Sequence, residues 1–195
     1  MQESLQVSRT DAATKGALRQ KFREARSAFV RKAGPAAVRA LSQNLQRIIE
    51  DLGLPQIAVY SPLSDEAAFE LRGEFFYPRL TGDSMQFLKP DADHNFQPGA
   101  LGIAEPEPET STPLDLSRPA LICCPAVALD WQGHRLGMGK GYYDRFFSCH
   151  PRPLRVGVAF QIQVSKDPLP VDSWDQPLDW IVTEEMILRT SKRSP

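Results

Sequence analysis

The stretch GHRLGMGKGYYDR, residues 133–145, gathers the side chains of this chain best suited to chemistry. Gly137, Gly139 and Gly141 alternate with Met138 and Lys140, and Tyr142, Tyr143 and Asp144 follow directly. Three residues without a β-carbon let backbone amides approach a phosphate closely, and a helix starting near Tyr142 adds unpaired N–H groups and a partial positive charge. Lys140 contributes a full charge and Arg135 a bidentate donor. The spacing is GxGxG. It matches neither the GxxxxGK[ST] phosphate loop nor the GxGxxG dinucleotide fingerprint, because a tyrosine stands at position 142. A tight strand-to-helix turn whose glycines only supply positive φ is the competing reading, and the flanking Arg, Lys and Asp favour a phosphate site. Asp144, three residues past Gly141, suits magnesium, which takes one or two carboxylates plus phosphate oxygens and water. Capping of the helix is an equal alternative for it.

Other chemistry-bearing residues lie far away in sequence. From Lys15 to Lys32 seven basic residues face the single acid Glu24. Arg23, Arg31 and Lys32 read as a solvated face, whereas Lys15 and Arg19, four apart on one helix face beside Leu18, stay open between that and a site. Asp172, Asp175 and Asp179 form an acidic cluster near the C-terminus. His94, His134 and His150 are too scattered for a zinc ligand set, and no GxSxG elbow or cysteine nucleophile is apparent. Cys123 and Cys124 read as reduced core residues and Cys149 as a helix thiol. Any reaction is expected to proceed without a covalent protein intermediate.

The elements that must position these groups alternate between helix and buried strand. Apolar spacing predicts a helix over 12–32, a break at Gly34 and Pro35, and a second helix carrying Val38, Leu41, Leu45, Ile48 and Leu52 that ends before Gly53. Strands are expected at 56–61, 74–80, 84–89, 120–129, 154–160 and 179–183, with a short helix at 65–72 and another over YYDRFFSC. Five prolines within 98–119 argue against regular structure there, so this segment reads as a long loop covering a site. Apolar strands without alternation, separated by helices, imply a three-layer α/β sandwich with a largely parallel central sheet, and ligands then bind beyond the carboxyl ends of the strands. The glycine loop follows the most apolar strand and so falls in that crevice.

With 195 residues, a single domain over 12–189 is expected, between a disordered segment 1–11 and a flexible tail 190–195. The net charge of −1 gives no global reason to expect nucleic acid or an anionic membrane as partner. No apolar run reaches membrane-span length, and a cytoplasmic monomer is the expectation.

The segment CPAVALDWQGHRLGMGKGYYDRFF resembles the signature of the 5-formyltetrahydrofolate cyclo-ligases, in which a proline and an apolar-Asp turn precede RLGxGxGYYDR. KGALR (15–19), YSPLSDE (60–66), FYPRL with Met85, GIAEP (102–106) and LPVDSWDQPLDWIVTE (169–184) match further motifs of that family in order. The resemblance implies a Rossmann-like fold similar to the phosphosugar isomerases and CoA transferases, and an ATP- and Mg2+-dependent ring closure of 5-formyltetrahydrofolate to 5,10-methenyltetrahydrofolate. Carried over by position, Lys15, Arg19, Arg135, Leu136, Gly137, Met138, Gly139, Lys140, Gly141, Tyr142 and Tyr143 would bind ATP, with Lys140 and Arg135 at the transferring phosphate. Asp144 and Asp175 would hold magnesium, and Glu66 would meet the pterin. Ser61, Met85, Met138 and Tyr142 would line the folate pocket, with Glu105 and Pro106 closing over it. Met138 stands where relatives carry Arg or Tyr, and Ser61 where some carry a more apolar side chain. A fold relative acting on another small molecule such as a sugar phosphate, or a non-catalytic binder of folate or RNA, are the alternatives; the near-neutral charge speaks against RNA.

Overall fold

A computed structural model describes residues 9–91, 96–99 and 102–191, with side chains from Thr14 onward. His94 and most of the expected terminal segments lie outside these residues. From the N-terminus the elements are helix α1 (Arg9–Leu52) and strands β1 (Ile57–Ala58), β2 (Tyr77–Thr81), β3 (Ser84–Pro90), β4 (Phe96–Pro98), β5 (Ala104–Pro106) and β6 (Ser111–Pro113). There follow β7 (Leu121–Pro125), β8 (Ala128–Asp130), β9 (Arg135–Leu136), helix α2 (Tyr142–Cys149), β10 (Leu154–Val158), β11 (Val164–Ser165), β12 (Trp180–Val182) and β13 (Ile187–Arg189).

The central sheet has the order β1-β7-β10-β12-β13 and is parallel except for the antiparallel edge strand β13. Leu121, Ile122, Cys123 and Cys124 are fully buried, as a strand covered on both faces requires. On one face the second half of α1 packs Leu41, Leu45 and Ile48 against Val156, Val158 and Val182. On the other, Phe146 and Phe147 of α2 pack against Ile122, Leu178 and Ile181. This is the expected three-layer arrangement. The break in α1 falls at Gly34, whose backbone (φ 57, ψ −162) leaves the helix just before Pro35.

Four features differ from expectation, each for a local reason. Residues 65–72 are not helical, because side chains of α1 satisfy their backbone instead: Ser42 Oγ accepts from the Glu70 N–H and Gln46 Oε1 from the Arg72 N–H. The expected strand 120–129 divides at Pro125, which lacks an N–H; beyond it β8 leaves the central sheet to pair with β9 and β11. The proline-rich segment holds the short strands β5 and β6 and a 3₁₀ turn, Pro108–Thr110, rather than an unbroken loop. At the ends, α1 already includes Arg9–Asp11, and Thr190 is buried with its hydroxyl donating to the Leu178 carbonyl. Helix α2 matches YYDRFFSC residue for residue. All three cysteines are free; burial pushes the Cys124 thiol up to about 12, so it is inert, and Cys149 is exposed. Among the described residues no helix is long and apolar enough to cross a membrane.

Candidate active site

Beyond the carboxyl ends of β1 and β7 lies a cavity of about 570 Å³. Lys15, Arg19, Ser61, Glu66, Met85, Glu105, Arg135–Asp144 and Asp175 all line it, whereas Pro106 does not. Nor does Asp179: just before β12, its carboxylate accepts the Arg155 backbone N–H at 2.8 Å.

The glycine loop is built from the turn before it. Asp130 closes that turn by accepting the N–H groups of Gln132 and His134, and β9 then carries Arg135 into the cavity. Gly139 (φ 91) and Gly141 (φ 69) occupy the left-handed region that glycine tolerates, so the turn requirement is met at those two positions. Gly137 is different. Its φ is ordinary, but a β-carbon there would stand 2.7 Å from the Arg135 guanidinium. Arg19 crosses over the loop, its Nε donating to the Gly137 carbonyl at 2.9 Å. Arg145 donates to the Lys140 carbonyl, and the Tyr142 hydroxyl donates to the Gly82 carbonyl at 3.1 Å, tying the loop to the β2–β3 turn.

Charges in this half of the cavity come in pairs. Arg135, whose side chain is only 5% exposed, meets Asp144 Oδ1 at 2.9 Å and lies over the Tyr143 ring. Burial opposes the guanidinium charge, yet Asp144 outweighs it and holds the Arg135 pKa above its ordinary value. Lys15 Nζ lies 2.6 Å from both Asp172 and Asp175. Burial again opposes, and the two carboxylates lift Lys15 above its ordinary 10.5. Asp144 does not cap α2: Gly141 is the N-cap residue, and Asp144 Oδ1 instead accepts from Arg135 and, at 3.2 Å, from the Gln176 N–H. Among the described residues no three His, Cys, Asp or Glu cluster as a ready metal cage. Asp144 and Asp175, both in the cavity lining, offer the oxygen ligands that suit a hard cation completing its shell with phosphate and water. Lys140 is exposed, and its ammonium makes no ion pair among the described residues.

The other half is apolar with isolated polar groups. Pro78, Leu80, Met85 and Ile103 line it, and Ser61 Oγ donates to the Ala104 carbonyl. Glu66 is buried; that burial raises its pKa above the ordinary 4.5 despite the Leu63 N–H it accepts. The Tyr143 hydroxyl, pushed well above 10 by burial, Arg135 Nε and Glu105 Oε1 are buried without a hydrogen-bond partner. Such orphans are rare in folded proteins, and these three belong to residues of the cavity lining. Met138 sits at the mouth, 48% exposed.

Sequence reasoning missed Trp174 at the rim and Arg26 beneath the floor. Arg26, 1% exposed, meets Asp65 at 2.8 Å and hydrogen-bonds the Ala126 carbonyl. Its position between Phe22 and Phe29 on the apolar stripe was the available signal.

By fold, the chain is similar to the solved 5,10-methenyltetrahydrofolate synthetase of Aquifex aeolicus, at TM-score 0.71 and 28% identity over 93% of this chain and 95% of that one. A synthetase from Mycoplasma pneumoniae shares the fold at TM-score 0.69 and 22% identity, covering 88% of this chain and 99% of that one. The chain belongs to the 5-formyltetrahydrofolate cyclo-ligase family, whose model matches residues 11–184. It is 35% identical over 137 residues to a probable 5-formyltetrahydrofolate cyclo-ligase of Caenorhabditis elegans (61% of this chain, 64% of that protein). To the 5-formyltetrahydrofolate cyclo-ligase of Escherichia coli K12 it is 40% identical over 89 residues, which is 45% of this chain and 48% of the relative. The chain thus spans between about half and two thirds of these curated relatives.

Proposed function

We propose that this protein converts 5-formyltetrahydrofolate and ATP to 5,10-methenyltetrahydrofolate, ADP and phosphate. One observation carries the reading: one cavity joins a cationic glycine loop to an apolar chamber holding a buried carboxyl. The chemistry asks for no more. A formamide oxygen is a poor leaving group, so the γ-phosphoryl group of ATP moves to it and ADP departs. The folate N10 then attacks the activated carbon, loses its proton, and the C–O bond breaks to release phosphate. Both nucleophiles belong to the substrate, leaving the protein to position two ligands and neutralise charge.

In this scheme Lys15, Arg19 and the amides of Gly137, Gly139 and Gly141 hold the phosphates. Lys140 and Arg135 face the transferring group. Asp144 and Asp175 would hold magnesium, which supplies neutralisation of phosphate charge. Glu66 accepts from the aminopyrimidone edge of the pterin, and Ser61, Met85, Met138 and Tyr142 border the folate. The test mixes purified protein with 5-formyltetrahydrofolate and MgATP and follows the near-ultraviolet absorbance of the methenyl product. A rise that requires ATP supports the proposal; no ATP-dependent rise refutes it.

A further inference from the structure

Asp130 ends β8, five residues before Arg135, and it lies outside the cavity lining. Its carboxylate is buried and fully used. Oδ1 accepts the Gln132 N–H at 2.9 Å and the His134 N–H at 3.0 Å, while Oδ2 accepts the Leu169 N–H at 2.9 Å and faces His134 Nδ1 at 2.7 Å. Burial opposes its ionisation, but the bonds from Leu169 and His134 hold its pKa below the usual carboxylate range. One side chain therefore closes the turn that launches Arg135 and also fastens the segment that, three residues on, reaches Asp172.

The packing beneath has the same membership. Phe22 and Leu18 of α1, Val127, Ala128 and Leu136 around β8 and β9, and Leu169 form one small apolar cluster, separate from the two that flank the central sheet. All three arms of the cationic half hang from it: Lys15 and Arg19 from α1, Arg135 and the glycine loop from β9, and Asp172 and Asp175 from the segment after Leu169. Asp130 is the tie at the Leu169 end of the last two arms, which the Leu178 N–H bond to the Gly133 carbonyl and the Gln176 N–H bond to Asp144 join further on.

We propose that Asp130 is a positioning residue for the phosphate half of the site, setting Arg135 and the Asp172–Asp175 arm at a fixed separation without touching a ligand. The inference rests on the function proposed above, with ATP in this half and folate in the other. A carboxylate is required because four donors or donor-capable groups converge on two oxygens. Asparagine keeps one oxygen for the turn and turns its NH2 toward the Leu169 N–H, donor against donor. Asp130→Asn thus spares the turn and loosens the aspartate arm at its Leu169 end.

The experiment compares wild type, Asp130→Asn, Asp130→Ala and Leu45→Ala, the last a cut in the main core. Thermal unfolding, steady-state KM for ATP, the magnesium titration, and the dissociation constant of 5-formyltetrahydrofolate measured without ATP are read for each. A misplacement of about 1 Å costs on the order of 100-fold, so Asp130→Asn is expected to lower kcat/KM for ATP by about tenfold or more and Asp130→Ala by more. Folate affinity of Asp130→Asn should stay within about twofold, since the folate half lies outside the tied arms. Leu45→Ala should lose melting temperature without splitting the two ligands. Wild-type ATP parameters in Asp130→Asn, or ATP and folate affinities falling together, overturn the inference while leaving the proposed function standing. A wild type that makes no ATP-dependent product overturns both.

Discussion

Replacing Asp144 by asparagine isolates the charge of one carboxylate in the cationic half. The Arg135 guanidinium is nearly inaccessible and its partner Asp144 is 18% exposed, with 2.9 Å between them. Removing one partner of a buried pair costs roughly 3–5 kcal/mol, but asparagine keeps a carbonyl oxygen for both Arg135 and the Gln176 N–H. What is lost is the charge in a charge-assisted bond worth about twice a neutral one, so about 1.5–2 kcal/mol is expected. For a chain of this size that lowers the melting temperature by about 3–8 °C. Phosphate binding should then repair the deficit, because an ATP oxygen supplies the anion Arg135 has lost. Metal-free ATP is accordingly expected to stabilise Asp144→Asn at least as much as wild type, where it must compete with Asp144 for the guanidinium, while magnesium adds much less. Thermal unfolding and calorimetric titration with ATP, magnesium, both and neither give the four comparisons. A variant that melts within about 1 °C of wild type, or whose magnesium titration is unaltered, refutes the reasoning.

Lys140→Ala removes an exposed ammonium with no ion pair among the described residues, so melting should be unchanged while kcat/KM for ATP falls about 100-fold or more; unaltered ATP kinetics would remove Lys140 from its role. Gly139→Ala puts a β-carbon at φ 91 and 3.4 Å from the Arg19 guanidinium; strain of about 1–2 kcal/mol should raise the ATP KM, and an unchanged KM would mean the loop cradles no phosphate. Glu66 has a folded pKa raised above 4.5 by burial, so its contribution to stability is complete below that value and is lost as pH rises through the folded one. Glu66→Gln should therefore melt no lower than wild type near neutral pH and lose the decline on leaving acid, while its KM for 5-formyltetrahydrofolate rises and ATP binding holds. Melting curves between about pH 4 and about pH 8 check the first part, and loss of ATP binding instead would mean the two halves are misassigned.

Local signals carried much of the fold and the address of the site. Helix α2, the Gly34–Pro35 break and the buried parallel strands are readable because each rests on residues a few positions apart. The glycine loop is readable for the same reason. Residues 65–72 are not, since a stretch with acids at its start reads as a helix, and only Ser42 and Gln46 of α1, 28 and 26 residues away, supply what its backbone bonds to instead. The partnership of Lys15 with Asp172 and Asp175 spans 157 and 160 residues. Each of these groups could be nominated by type, but their mutual neutralisation is a property of the folded cavity alone. Arg26 is harder to read for the opposite reason: it sits in a run of basic residues of which only it and Lys15 are buried.

That neutralisation bears on how the proposed reaction is controlled. In the ligand-free structure Arg135 pairs with Asp144, and Lys15 with Asp172 and Asp175, so on the proposed function groups assigned to phosphate and to metal hold one another. A phosphate chain arriving alone would take the cations and strand partly buried carboxylates; a divalent ion arriving alone would do the reverse. Either way a partly buried charge is left uncompensated, which is costly. Only the two together replace both partners at once, so each pair dissolves without loss. On the proposed function, the ion pairs therefore act as a discriminator for the metal–nucleotide complex over its parts. The same logic ties the energetics of the site to Asp130, because the exchange works only while both pairs face the same phosphate chain.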